Sequence, residues 1–138
     1  MNIFRFIVPK SLVEYITEDS TVRQGFEKMR FHRYVAIPVI DAEGKYVGML
    51  RNDDILEYFL SAASVDMKAA EKIMVRDIVD RSYSRPLYQN STMEELFEMV
   101  KEHNSVPVVD DRGCFIGIVL RRDVMNFLLK YYDPEKRV

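Results

Sequence analysis

The chain has 138 residues, enough to bury a core without help from a disulfide or a metal. A hydrophobic share of 48% and a charged share of 30% are those of an ordinary water-soluble fold. The net charge of −2 gives no general attraction to nucleic acid or to an anionic membrane, and the lone Cys114 cannot close an intramolecular disulfide, which fits a reducing cytoplasm.

The opening MNIFRFIVPK is apolar but much shorter than the roughly 18–20 residues of a membrane span. No small-residue cleavage site follows it, so it is not read as a leader. A helix opens at Ser20-Thr21, where Thr21 and Gln24 have the capping-box spacing and Val22, Phe26 and Met29 share one apolar face. VAIPVI (35–40) is a β-branched, buried strand. Pro38 has no N–H for a ladder bond, so the strand is expected at the edge or end of its sheet. DAEG (41–44) is a tight turn in which Gly44 can take positive φ. The next strand, KYVGML (45–50), carries Gly48, the mark of a close approach by backbone or ligand. Asp54 is expected to cap a second helix that runs to Leu60. SAASVDMKAAEKIMVRDIVD (61–80) is rich in Ala, Lys and Glu and reads as a short helical connector.

The same grammar then returns. Pro38, Val39, Asp41, Gly44, Gly48, Asp54 and Leu60 recur as Pro107, Val108, Asp110, Gly113, Gly117, Asp123 and Leu129, always 69 residues later. Thr92 and Glu95 repeat the capping-box spacing, and Met93, Leu96, Phe97 and Val100 repeat the apolar face. Pro134 stops the last helix and leaves a frayed tail. The chain therefore divides into a first repeat (1–60), a helical connector (61–74), a second repeat (75–132) and a tail (133–138). The fold class is α/β of the α+β kind: two β-α-β-β-α units of about sixty residues each. Neither unit has much core alone; packed through their sheets, they would bury one.

No HExxH, GxSxG or P-loop string occurs, and no carboxylates stand at a recognisable catalytic spacing. His32 and His103 end the first helix of each repeat without a second ligand at metal spacing, so no metal site is expected. One corner is electrostatically odd. Arg121 and Arg122 sit where the last helix begins, an end that disfavours cations by roughly 0.3–1 kcal/mol each.

The doubled pattern of proline-valine strand, D-x-x-G turn, glycine strand and Asp-led helix resembles the cystathionine-β-synthase (CBS) domain. Two in tandem resemble a Bateman module, here a stand-alone pair of the small bacterial type, covering about Ile7 to Leu129. The resemblance implies two repeats related by a pseudo-two-fold axis and a regulatory module rather than an enzyme. It implies an adenine nucleotide (AMP, ADP, ATP or cyclic di-AMP) as regulatory ligand, no required cofactor, an effector protein of unknown identity and a homodimer formed through helical faces. LFEMV (96–100) and VMNFLL (124–129) are apolar enough to serve as such faces.

Two clefts between the repeats are implied as well. The first would use Val13, Glu14, Tyr15, Tyr34, Ala36 and Ile37 with Arg121, Arg122 and Asp123; the second would use Arg85, Pro86, Leu87, Ser105 and Val106 with Arg51, Asn52 and Asp54. The family's signature places a Ser or Thr three residues before the helix-leading aspartate. Here both corners, GMLRNDD and GIVLRRD, keep the aspartate and lose the hydroxyl, to Arg51 and to Leu120. Arg121 and Arg122 are then expected to replace it as phosphate clamps, guanidinium forks at a helix N-terminus being suited to that anion. Tyr34 is a candidate for stacking on a base. Arg51 either reaches a phosphate or fills its own cleft by pairing with Asp53 or Asp54. The alternative function is a non-catalytic dimerisation or partner-docking module with vestigial clefts.

Overall fold

A computed structural model describes residues 2–132 and 134–135. Among these, the elements in chain order are β1 (Ile7–Pro9), β2 (Ile16–Thr17), α1 (Val22–His32), β3 (Ala36–Ile40), β4 (Tyr46–Arg51) and α2 (Asn52–Ser61), followed by β5 (Leu87–Tyr88), α3 (Met93–Glu102), β6 (Ser105–Val109), β7 (Phe115–Leu120) and α4 (Arg121–Leu129). They form two sheets, β2-β3-β4 and β1-β7-β6-β5. Of the tail at 133–138, only Pro134 and Glu135 are described, so its fraying lies outside the described residues.

The repeat governs the register. Ile16 pairs with Val39 and Thr17 with Ile40; Leu87 pairs with Val108 and Tyr88 with Val109. Pro38 and Pro107 are not on edge strands, because β3 and β6 each have neighbours on both sides. The proline is tolerated because the parallel neighbour is two residues long and its pairing starts only at Val39 or Val108. Gly44 and Gly113 turn the two hairpins at φ of +85° and +82°. In the second turn the Asp110 carboxylate accepts from the Cys114 and Arg112 amides, and these bonds hold its pKa below the ordinary value.

The repeat boundary in space is not the boundary in sequence. The segment before β2 crosses to the second repeat: β1 pairs antiparallel with β7, and Ile3 and Phe6 join the second core beside Leu96, Val106 and Val119. The segment before β5 crosses the other way. Ala70, Val75 and Val79 are buried in the first core with Ile37, Val39 and Leu50, and Asp80 bridges to Met49 of β4. Gly48 and Gly117 are where these crossings occur. A Cβ on Gly117 would lie 2.2 Å from the Val8 carbonyl oxygen, and one on Gly48 would lie 3.1 Å from Val79 Cγ2.

The connector is not the helix that its composition suggests. After α2 it makes a turn with Ala63 at φ of +55°, and its regular parts within 61–80 are two 3-10 turns, Ala69–Glu71 and Val75–Asp77. Asp66 marks a fresh start there, since its side chain accepts from the Lys68 and Ala69 amides in the manner of an N-cap, which begins a new turn instead of continuing α2. The two hairpin tips also pair with each other: the Tyr46 amide donates to Gly113 O at 3.0 Å and the Phe115 amide to Gly44 O at 2.9 Å.

Candidate functional site

Between the repeats lies a cavity of about 420 Å³, within the range of small-molecule sites. Much of its wall comes in related pairs, one member from each repeat: Leu12 and Tyr83, Val13 and Ser84, Tyr34 and His103, Val35 and Asn104, Ala36 and Ser105, Met49 and Ile118. The cavity is therefore walled by both repeats. Apolar side chains make most of the wall, with a few polar groups at fixed places, which is the composition of a site for a flat, partly polar ligand. Ser84 Oγ and His103 Nδ1 are buried and have no hydrogen-bond partner among the described residues, although both residues contribute to the cavity wall.

Of the first cleft set, Val13, Glu14, Tyr34 and Ala36 line this cavity. Tyr15 turns aside and packs against Phe115 at 6.1 Å, and Ile37 is buried in the first core. Tyr34 stacks on His32 with ring centroids 5.3 Å apart, so one face of its ring is already covered. The Glu14 carboxylate is met by Lys28 Nζ at 3.1 Å and by His32 Nε2 at 3.8 Å.

The arginine pair does not form the expected clamp. α4 begins at Arg121 rather than at Asp123, which places Asp123 in its first turn and not at its cap. Arg121 Nε donates to Val100 O at 2.6 Å and its Nη2 to Lys101 O at 3.3 Å. These are carbonyls of the last turn of α3, the end that carries partial negative charge. The cation at the start of α4 is thus held by the end of α3. Arg122 is exposed, with no ion pair or side-chain hydrogen bond among the described residues, and it does not line the cavity. Asp123 faces a different, smaller hollow beside Arg5, Asn126 and Lys130. From this corner only Leu120 reaches the cavity wall.

Of the second cleft set, only Ser105 lines the cavity. Leu87 and Val106 are buried in the second core, and Arg85 and Pro86 border a groove along α3 instead. The reason is register. β2 and β5 are 71 residues apart, so the residues related to Leu12 and Val13 are Tyr83 and Ser84, a step before Arg85. Asn52 is exposed in the first turn of α2. Asp54 stands at the third position of α2 rather than at its cap. It is 6% exposed, and it accepts from the Arg51 amide at 2.8 Å and from Arg51 Nη2 at 2.9 Å. Arg51 also reaches Asp80 at 3.4 Å and Asp53 at 3.9 Å, and its guanidinium lies 3.9 Å from the centroid of the Tyr83 ring. Of the two readings open for Arg51, the geometry is that of the side chain filling its own corner.

Sequence reasoning missed Arg33. It ends α1 in the left-handed conformation, φ 58°, and lines the cavity mouth with no ion pair among the described residues. With Glu14 already matched by Lys28, Arg33 is the unbalanced cation of the site. The signal was faint, because an arginine at a helix C-terminus has an ordinary electrostatic reason to be there.

LFEMV lies on α3 and faces inward, with Leu96 and Val100 in the second core. Exposed apolar side chains on the other helices include Phe31 of α1, Leu56 and Leu60 of α2, and Met125, Leu128 and Leu129 of α4. No group of three potential metal ligands occurs among the described residues, and no helix there is long and apolar enough to cross a membrane.

The sequence model described as the CBS domain matches residues 8–61 and 70–130. The chain is 26% identical over 113 residues to inosine-5'-monophosphate dehydrogenase of Methanocaldococcus jannaschii, covering 80% of this chain and 21% of that enzyme. It spans from a fifth to just under a half of the length of several such curated relatives. It is 23% identical over 127 residues to cyclic di-AMP receptor B of Bacillus subtilis, covering 92% of this chain and 86% of the receptor. Among solved structures, Listeria monocytogenes CbpB in complex with c-di-AMP superposes with a TM-score of 0.81 at 22% identity, over 91% of this chain and 92% of that one.

Proposed function

The chain belongs to the CBS-domain family, and from that premise we propose that it is a non-catalytic, cytoplasmic sensor. It takes an adenine nucleotide in the cavity between its repeats and reports occupancy to a protein partner. The observation that carries this reading is the cavity walled by both repeats, mostly apolar with a few polar side chains. An adenine ring suits apolar walls that offer a few fixed hydrogen-bonding groups, and a phosphate suits the unbalanced Arg33 at the mouth. Cyclic di-AMP is the first ligand to try, since it is named for two relatives that match over most of their length. AMP, ADP and ATP follow. No catalytic group and no cofactor is assigned.

Thermal unfolding with each nucleotide tests the proposal. A ligand at a hundredfold its dissociation constant stabilises by about 2.7 kcal/mol. Ala36→Phe, which fills the cavity, should remove the shift. No shift with any of the four nucleotides overturns the sensor reading in favour of a docking module. That second reading has its own observation, the exposed apolar side chains on α2 and α4, where Leu60 is 63% and Leu129 61% exposed. The same residues support a homodimer, and light scattering of Leu60→Lys/Leu129→Lys should then give a monomer.

A further inference from the structure

We propose that Arg51 is a built-in occupant of one half of the cavity, so that the chain offers one nucleotide place where its pseudo-symmetry would give two. The proposal rests on the nucleotide reading for the open half only. Position 51 is related to position 120 by the repeat, and the two corners differ. Leu120 is a cavity wall, whereas on the other side the cavity stops at the Tyr83 ring and Arg51 stands behind it.

Three features set Arg51 apart from a surface arginine. It is the residue at which α2 begins, the N-cap position, where Ser, Thr, Asp or Asn is favoured and a cation is not. Its side chain is 20% exposed and is held by Asp54 and Asp80 together with the Tyr83 face. Its Nε is buried without a partner among the described residues, so even this network leaves one donor unsatisfied. Helix capping and hydrogen bonding would both be served better by a small hydroxyl residue. What the arginine does is occupy the space and the carboxylate of Asp54. Held this way, that carboxylate is closed to the hydroxyls of a nucleoside entering this half.

Two measurements on the full-length protein test the proposal. In the free protein at neutral pH, the Arg51 Nε–H resonance should be displaced upfield by the Tyr83 ring and return toward its usual position in Tyr83→Leu. Calorimetric titration with adenosine and with AMP should give one equivalent per chain. Arg51→Ser, which keeps a good N-cap, should bind a second equivalent of adenosine; the carboxylates of Asp54 and Asp80 would disfavour a second AMP. An undisplaced Arg51 resonance overturns the proposal, as do two equivalents on the unaltered protein or, where the unaltered protein binds one, no second equivalent on folded Arg51→Ser. If only the variant binds, Arg51 is the occupant and the nucleotide reading of the natural cavity fails. If neither binds, the nucleotide reading falls alone and the Arg51 resonance decides the proposal in either direction.

Discussion

At the residue scale, charge at the cavity mouth is the simplest quantity to vary. Arg33 should contribute to a phosphate and not to a base, because no other lysine or arginine among the described residues lines the cavity. Its left-handed backbone limits the choice of substitute. Alanine would be strained at φ 58°, whereas asparagine accepts that conformation. Arg33→Asn should weaken AMP binding about tenfold or more, the worth of a hydrogen bond to a charged group, and leave adenosine unchanged. Calorimetry with both ligands separates these outcomes, and equal loss for both would remove Arg33 from the phosphate. Arg121 shows why the expected clamp was misplaced. From sequence, two arginines at a helix start look unpaid for by local electrostatics. The missing term is the end of α3, whose Val100 and Lys101 carbonyls take Arg121 across a distance in sequence that no local rule spans.

At the element scale, the two strand glycines have one role with unequal tolerance. Each lets a leading segment from the other side of the connector lie against a central hairpin. On Gly117 an added methyl would meet the backbone oxygen of Val8, so β1 itself must move; on Gly48 it would first meet the end of the Val79 side chain. Gly117→Ala should therefore cost roughly 3 kcal/mol, and Gly48→Ala about 1 kcal/mol or less. Urea unfolding of the two variants measures the difference, and equal costs would mean that β1 is not held as tightly as its pairing indicates. Strands, turns and helices were legible because each has a local cause: β-branched runs, Gly44 and Gly113 at positive φ, and Thr21 with Gln24 closing a reciprocal cap. The crossing of the leading segments was not. Ile3 and Phe6 precede β2 as Val75 and Ile78 precede β5, yet nothing in their hydrophobicity says which core they enter. The same gap displaced the second cleft set. A one-residue difference in spacing before β5 moves Ser84 onto the cavity wall and sends Leu87 into the core, and side-chain alternation makes such a slip decisive.

At the scale of the whole molecule, two cores do not amount to two independent domains. The first is completed by Val75 and Val79 from beyond the connector, and the second by Ile3 and Phe6 from the start of the chain. The hairpin tips are joined by Tyr46 to Gly113 and Phe115 to Gly44. Pulling the repeats apart would expose apolar surface of both cores and break both tip bonds, so unfolding one should unfold the other. Leu50→Ala tests this. Leu50 is fully buried in the first core, and its truncation should cost about 2–5 kcal/mol. Amide hydrogen exchange should then show the same loss of protection at Val106 and Val119 of the second sheet as at Ile37 and Val39 of the first. Loss confined to the first sheet would mean that the repeats open separately. The distinction bears on signalling. A ligand in the shared cavity touches both repeats, and it can bias a partner only by favouring one relative arrangement of them over another. If the repeats unfold as one unit, that bias is spread over the whole chain, including the exposed apolar side chains of α2 and of α4. If they do not, occupancy would be felt only at the cavity rim.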